Sequence, residues 1–240
     1  MTSPKVVARV AGSLYLFGSV CFVLAMEVRS GILNASGTAG AADNVRSSAF
    51  LFRASLAADL VSWTCALLTG MALYVLLNNV HRMAAAAMMV FVVVEVAVGY
   101  LNDVNQYAAL TIATSAPSAK AFGADGSNAL VMLAAQTQHN GLLINEMFFG
   151  LWLLPLGYLV IKSRHFPRLV GLLLIVAAVD WIAQFFADLL VPSLPAYVFA
   201  VEQIGGVGEL VFVAWLLIFA VRLPAVGASA SAMVTTLGRD

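Results

Sequence analysis

The chain has 240 residues, of which 62% are hydrophobic and only 10% charged, with twelve acids balancing twelve bases. A soluble domain carries about 25% charged residues, so this chain has too little polar surface to cover its apolar residues in water, and lipid is the consistent solvent. The bases are scattered and form no stripe, which argues against a nucleic-acid partner.

A bilayer core is crossed by roughly 20 apolar residues of helix, and six segments reach that scale. The first spans residues 6–28. Lys5 and Arg9 precede its apolar run, as in a signal peptide. The run is long for such a leader, however, and no small-x-small cleavage site directly follows Met26 and Glu27, so it is expected to be a retained helix. The second covers residues 50–77 and the third residues 83–107. The fourth, residues 139–161, contains Pro155, which removes one backbone donor and predicts a kink that frees the Leu151 carbonyl. The fifth, residues 169–191, follows Pro167, and the sixth, residues 197–223, lies between Pro195 and Pro224. Residues 225–240 read as a flexible tail. The expected fold is all-α: a polytopic membrane protein forming one bundle of six transmembrane helices.

Two connections are long, near residues 29–49 and 114–138, and both are rich in Gly, Ala and Ser. Neither is apolar enough to span. Helical extensions from the neighbouring segments, such as residues 128–138, are expected to project there. Charge gives the orientation. Lys5, Arg9, Arg82, Lys162, Arg164, Arg168, Arg222 and Arg239 fall on the side of the N-terminus, against Arg29, Arg46, Arg53 and Lys120 on the other. The positive-inside rule places both termini in the cytoplasm.

Five acids interrupt the apolar segments: Asp59, Glu95, Glu146, Asp180 and Glu209. An ionised carboxylate facing lipid costs about 2.5–3.5 kcal/mol even on lenient insertion scales, so each should face the bundle interior. At ~1.5 Å per residue, Glu95, Asp180 and Glu209 share a level roughly 16–20 Å from the cytoplasmic ends, and Glu146 and Asp59 lie further out. Residues seven or eight apart return to one helix face. Glu95 is thereby aligned with Asn102, His139 with Glu146, Asp180 with Gln184 and Asp188, and Glu202 with Glu209. These stripes predict an acidic polar cavity opening to the outer face. Its expected ligand-binding residues are Glu95, Asp180, Glu209, Glu146, Asp59, His139, Arg53, Asn102 and Gln184. Arg53, Arg29 and a protonated His139 are the cations near enough to answer the acids. Interhelical hydrogen bonding would account equally for any one of these residues taken alone.

No HExxH, GxSxG or phosphate-binding glycine loop occurs, and no lysine sits mid-membrane to carry a Schiff base. The sequence leaves any cofactor or metal unknown, and a metal or organic cation stays among the candidate occupants of the acidic cavity. Cys21 and Cys65 lie in apolar runs and read as packed small side chains.

The stretches ARVAGSLYLF, FRASLAADLV, FFGLWLLPLGYLVIKSRHFPRLVGLLL and GELVFVAWLL, spread over five of the six segments, resemble the bacterial membrane family catalogued as domain of unknown function 4386. The resemblance covers most of the chain outside the two long connections. It implies a six-helix fold and a bacterial plasma-membrane location, and it implies no activity. Three functions stay open. The chain could bind or transport a cation, a proton or a small polar ligand at Glu95, Asp180 and Glu209. It could be an intramembrane enzyme on a lipid or small amphiphile, with His139, Glu146 or Asp59 as acid–base groups. It could be an accessory subunit whose polar core is structural. The missing internal repeat weighs against a secondary transporter, and the missing nucleophile or metal motif against an enzyme.

Overall fold

The computed structural model describes residues 3–35, 40–163, 165–191 and 203–220. Among these residues the regular structure is all helical: α1 (Pro4–Asn34), α2 (Ala41–Ser47), α3 (Ala49–Leu77), α4 (Arg82–Thr114), α5 (Ala116–Ser163), α6 (Arg168–Leu190) and α7 (Gln203–Ile218). Helices α1, α3, α4, α5 and α6 are long and apolar enough to cross a membrane, and α7 carries a shorter apolar stretch, Gly206–Ile218. The chain is a polytopic membrane bundle.

The long helices form a closed ring in chain order. Helix α1 packs on α3, α3 on α4, α4 on α5, α5 on α6, α6 on α7, and α7 returns to α1. Large apolar side chains such as Phe17, Val75, Val90 and Leu172 point outward. Helices that are apolar all round belong in apolar surroundings. Small residues make the seams instead. A Cβ on Gly157 would lie 2.9 Å from the Gly171 carbonyl oxygen, and one on Gly171 would lie 2.8 Å from the Gly157 carbonyl oxygen. Such close backbone approach is how helices gain dispersion contact where lipid supplies no hydrophobic drive.

Two apolar cores result. The larger, including Leu73, Met88, Leu153, Leu156, Phe212 and Leu216, fills the ring. The smaller lies at one end, where the long helices overshoot the ~30 Å that a bilayer core requires. There Ile32, Val45, Phe52, Leu110 and Val131 pack together under α2. Helix α2 is pinned by its Ala42 amide, which donates to Asn128 Oδ1 at 2.9 Å, and by Arg46 Nε, which donates to the Ala113 carbonyl at 2.8 Å. This is the α2 end; at the opposite end Pro4 of α1 approaches Lys162 of α5.

Several local features differ from the sequence-based expectation. Helices α4 and α5 run beyond 83–107 and 139–161, and α2 was not anticipated. The Gly/Ala/Ser-rich connections lack the apolar periodicity that announces a helix, but alanine supplies the propensity and the cap supplies the burial. Helix α5 leaves helical backbone at Gly123 (φ 67°, ψ −175°), a conformation open essentially to glycine alone, and continues as helix through Pro155. One missing donor is tolerable when α4 and α6 pack on either side. Pro167 is the N-cap residue of α6. Pro192, Pro195, Glu202, Pro224 and the tail lie outside the described residues.

Candidate functional site

Two polar layers interrupt the apolar interior. The first adjoins the α2 end. Arg29 of α1 is 5% exposed and Asp59 of α3 is 1% exposed. Arg29 Nη1 donates to Asp59 Oδ2 at 2.5 Å. Gln106 Nε2 of α4 donates to the same oxygen at 3.0 Å and lies 3.4 Å from Asp103 Oδ1, while Trp63 Nε1 donates to Asp103 Oδ2 at 3.1 Å. Asp59 and Trp63 are one turn apart on α3, as are Asp103 and Gln106 on α4, so each helix presents two members on one face. The layer sets one cation against two carboxylates, with hydrogen bonds linking every member.

The second layer lies deeper in the ring. Glu209 of α7 accepts from the Tyr15 hydroxyl of α1 at Oε2 and from Trp181 Nε1 of α6 at Oε1, the latter at 2.8 Å. Glu95 of α4 is 3% exposed and within electrostatic reach of both Tyr15 and Glu209. Its Oε2 has no hydrogen-bond partner among the described residues. Asn145 of α5 is fully buried, and its amide oxygen and nitrogen are likewise unpartnered there, as is Trp152 Nε1. Aromatic rings bound this chamber. Phe22 meets Trp63 at 5.8 Å between centroids, Trp63 meets Phe149 at 6.2 Å, Phe149 stacks on Trp181 at 5.6 Å, and Tyr15 meets Trp152 at 5.8 Å. Glu209 joins the two runs by bonding both Trp181 and Tyr15. The five long helices and α7 therefore all contribute to one centre. Trp63 belongs to both layers: its ring is part of the belt and its N–H reaches Asp103. A Cβ on Gly99 would lie 2.4 Å from the Trp63 ring, so only glycine at that position admits the indole.

The residues singled out by sequence are placed as follows. Glu95 and Glu209 share the chamber, and Asp59 sits in the layer above it. Asn102 is buried, donates to the Gln138 carbonyl at 2.8 Å and accepts from Asn105. Asp180 and Gln184, both half-buried on α6, bond each other at 2.9 Å. Glu146 is half-buried, and Arg53 and His139 are exposed. Two shifts stand out. The cation that meets a buried carboxylate is Arg29, and among the described residues it is the only buried base. The buried polar stripe of α5 runs through Gln138, Asn145 and Trp152, the first two each one residue before their expected counterparts His139 and Glu146. Both stripes repeat every seven residues, so spacing alone could not choose between them.

Asp103, Gln106, Asn145 and the aromatic partners of Glu209 were not singled out by the sequence reading. A signal for the first two was present, since they stand eight and eleven residues from Glu95 on the same helix. A cleft of about 140 Å³ at the α2 end is lined by residues including Arg46 and Ser127, and one of about 500 Å³ at the opposite end includes Asn79 and Lys162. Neither is lined by any of the nine candidates. Among the described residues no three His, Cys, Asp or Glu side chains are grouped to hold a metal ion.

Residues 10–220 match the family described as Domain of unknown function (DUF4386). The chain belongs to this family. No curated protein and no solved structure matches it. The DUF4386 match runs from α1 into the residues after α7, so both polar layers fall inside the family domain.

Proposed function

We propose that this membrane protein binds a small cation, or a proton in its place, in the chamber between Glu95 and Glu209. In this reading it sits in a bacterial plasma membrane with both termini cytoplasmic and the α2 end outside. The observation that carries the reading is Glu95: a carboxyl group 3% exposed, with an oxygen that no described residue satisfies, within electrostatic reach of the Glu209 carboxyl group. An ionised acid so placed has lost its hydration and needs a positive charge in return. The one buried base among the described residues, Arg29, already pairs with Asp59.

The way in is proposed along α6. Asp188, Gln184 and Asp180 succeed one another by single turns toward Trp181 and Glu209. On the facing helix, a Cβ on Gly206 would meet nothing within 4 Å among the described residues, one turn before Glu209 on the α2 side. Asp180 and Gln184 thereby become approach residues rather than members of the inner site. His139 and Arg53, both exposed, and Asn102, bonded to the Gln138 carbonyl, stand apart from it.

The test uses the detergent-purified full chain. Three of its four tryptophans, Trp63, Trp152 and Trp181, border the chamber, so occupancy should change the intrinsic fluorescence. Titration with sodium, potassium and ammonium salts at constant ionic strength should give a saturable change for at least one ion. Glu95→Gln keeps the shape and one acceptor but not the charge, and should abolish the response while the protein stays monodisperse. An unchanged response in Glu95→Gln would refute the site.

A further inference from the structure

Building on that reading, we infer that the chamber takes a small protonated amine bearing a neutral oxygen, such as an amino alcohol, in preference to a bare metal ion. The unsatisfied groups specify this chemistry. Glu95 Oε2 and Asn145 Oδ1 ask for donors, whereas Asn145 Nδ2 and Trp152 Nε1 ask for acceptors. A proton or an alkali ion answers only the first kind. An ammonium group offers up to three N–H donors, and a hydroxyl oxygen two or three atoms away answers the second kind.

The register of α4 against α5 places Glu95 within about one helical turn of the levels of Asn145 and Trp152. Asn102 lies against Gly141, where a Cβ would stand 2.0 Å from Asn102 Oδ1. At the opposite end of the same helices, the His81 ring meets the Tyr158 ring at 5.7 Å. The helices are therefore antiparallel. Moving seven residues, ~10.5 Å, from Asn102 along α4 reaches Glu95, and the same distance from Gly141 along α5 reaches Phe148. Glu95 thus falls between the levels of Asn145 and Trp152. The α5 face that carries both looks into the ring, since the Cβ direction of Gly141, about 40° from that of Asn145, points at Asn102 of α4 and Trp152 meets Tyr15 of α1.

The walls favour the same ligand. Indole and phenol faces attract an alkylammonium through their quadrupoles, and the belt supplies Tyr15, Trp63, Trp152 and Trp181. A metal ion would want several oxygen ligands at fixed geometry, and among the described residues no such group of acids and histidines is present. A phosphate attached to the amine would meet two carboxylates, which selects the free amine over a phospholipid headgroup.

The experiment compares ethanolamine, ethylamine, tetramethylammonium, glycerophosphoethanolamine and sodium as probes of the purified full chain, by tryptophan fluorescence and calorimetry. Ethanolamine should bind about tenfold more tightly than ethylamine, which corresponds to ~1.4 kcal/mol, and tetramethylammonium and glycerophosphoethanolamine should bind less well than either. Asn145→Leu should erase the preference of ethanolamine over ethylamine, and Glu95→Gln should weaken both. Equal affinities for ethanolamine and ethylamine in the unmodified protein would overturn the inference, as would a preference that survives Asn145→Leu. Tighter binding of glycerophosphoethanolamine would overturn the assignment to a free amine. A response to sodium alone would overturn the inference and leave the cation site standing, whereas no response to any probe would remove both. Should Glu95→Gln fail to stay monodisperse, the Asn145→Leu selectivity still decides.

Discussion

The layer around Arg29 and the chamber around Glu95 lie one above the other in the same ring, both buried and both rich in carboxylates. They differ in pairing. In the upper layer a guanidinium, an amide and an indole answer Asp59 and Asp103. In the chamber, Glu209 is answered by two neutral donors, and Glu95 keeps an oxygen unanswered. Burial alone thus does not mark a site. The upper layer also leaves Asp59 Oδ1 and Gln106 Oε1 without a hydrogen-bond partner among the described residues, so what separates the layers is charge: Asp59 holds a guanidinium, and Glu95 has no base among the described residues to answer it. Their joint position also suggests a division of labour, in which the upper layer and the α2 cap hold the ring shut above a chamber approached from the side of α6 and α7.

The largest expected effect comes from breaking the upper layer. Arg29→Met should destabilise the protein by about 3–5 kcal/mol, because it leaves the Asp59 carboxylate buried without its cation. Replacing both partners, as Arg29→Met with Asp59→Leu, should recover most of that loss, since an apolar pair is comparable to an ion pair once neither charge is stranded. Thermal unfolding in detergent measures both. If the double variant is no more stable than the single one, the layer does more than pair two charges.

The contrast is also where sequence reasoning succeeded and failed. Apolar length is a coarse signal that survives any packing, so the membrane segments and the all-α class were legible. The acids that interrupt those segments were legible too, because lipid makes them conspicuous. What spacing could not supply was rotation. On α5, a seven-residue repeat passes equally through Gln138, Asn145 and Trp152 or through His139 and Glu146, and only packing against α4 and α1 selects the first. Partners across helices were hidden for a similar reason. Arg29 and Arg53 are both bases toward the α2 end, and which of them reaches Asp59 depends on the α1–α3 crossing. The helical extensions were legible in outline, whereas helix α2 was obscured because a small apolar cap assembled from five helices has no local pattern.

A middle-sized effect separates the two acids of the chamber. Tyr15→Phe removes a hydrogen bond to a carboxyl group and should cost about 1.5–3 kcal/mol. Glu95→Gln should change stability much less, or raise it, because it removes a buried charge that no described residue answers. The same thermal measurement decides. A loss on Glu95→Gln as large as that on Tyr15→Phe would mean that Glu95 is tied into the fold like Asp59, and the distinction between the layers would collapse.

The smallest effects should fall on Arg53 and His139. Arg53 lies six residues before Asp59 on α3. At 100° per residue this puts it about 240° around the helix, turned away from the face that Asp59 shares with Trp63. It is accordingly exposed, while Arg29 reaches Asp59 from α1. His139 is exposed one position after Gln138, whose carbonyl holds Asn102. Arg53→Ala and His139→Ala remove side chains that touch neither layer, and exposed substitutions of this kind leave stability close to unchanged. Neither should alter the fluorescence response to a cation. The informative comparison is Arg53→Ala against Arg29→Met. The two variants delete one positive charge each from the same region of the chain, so they match in net charge and differ in whether a buried acid loses its partner. A large loss for Arg29→Met beside none for Arg53→Ala would show that the upper layer depends on a specific contact. Equal losses would instead mean that net charge near the α2 end matters, and that Asp59 can recruit either arginine.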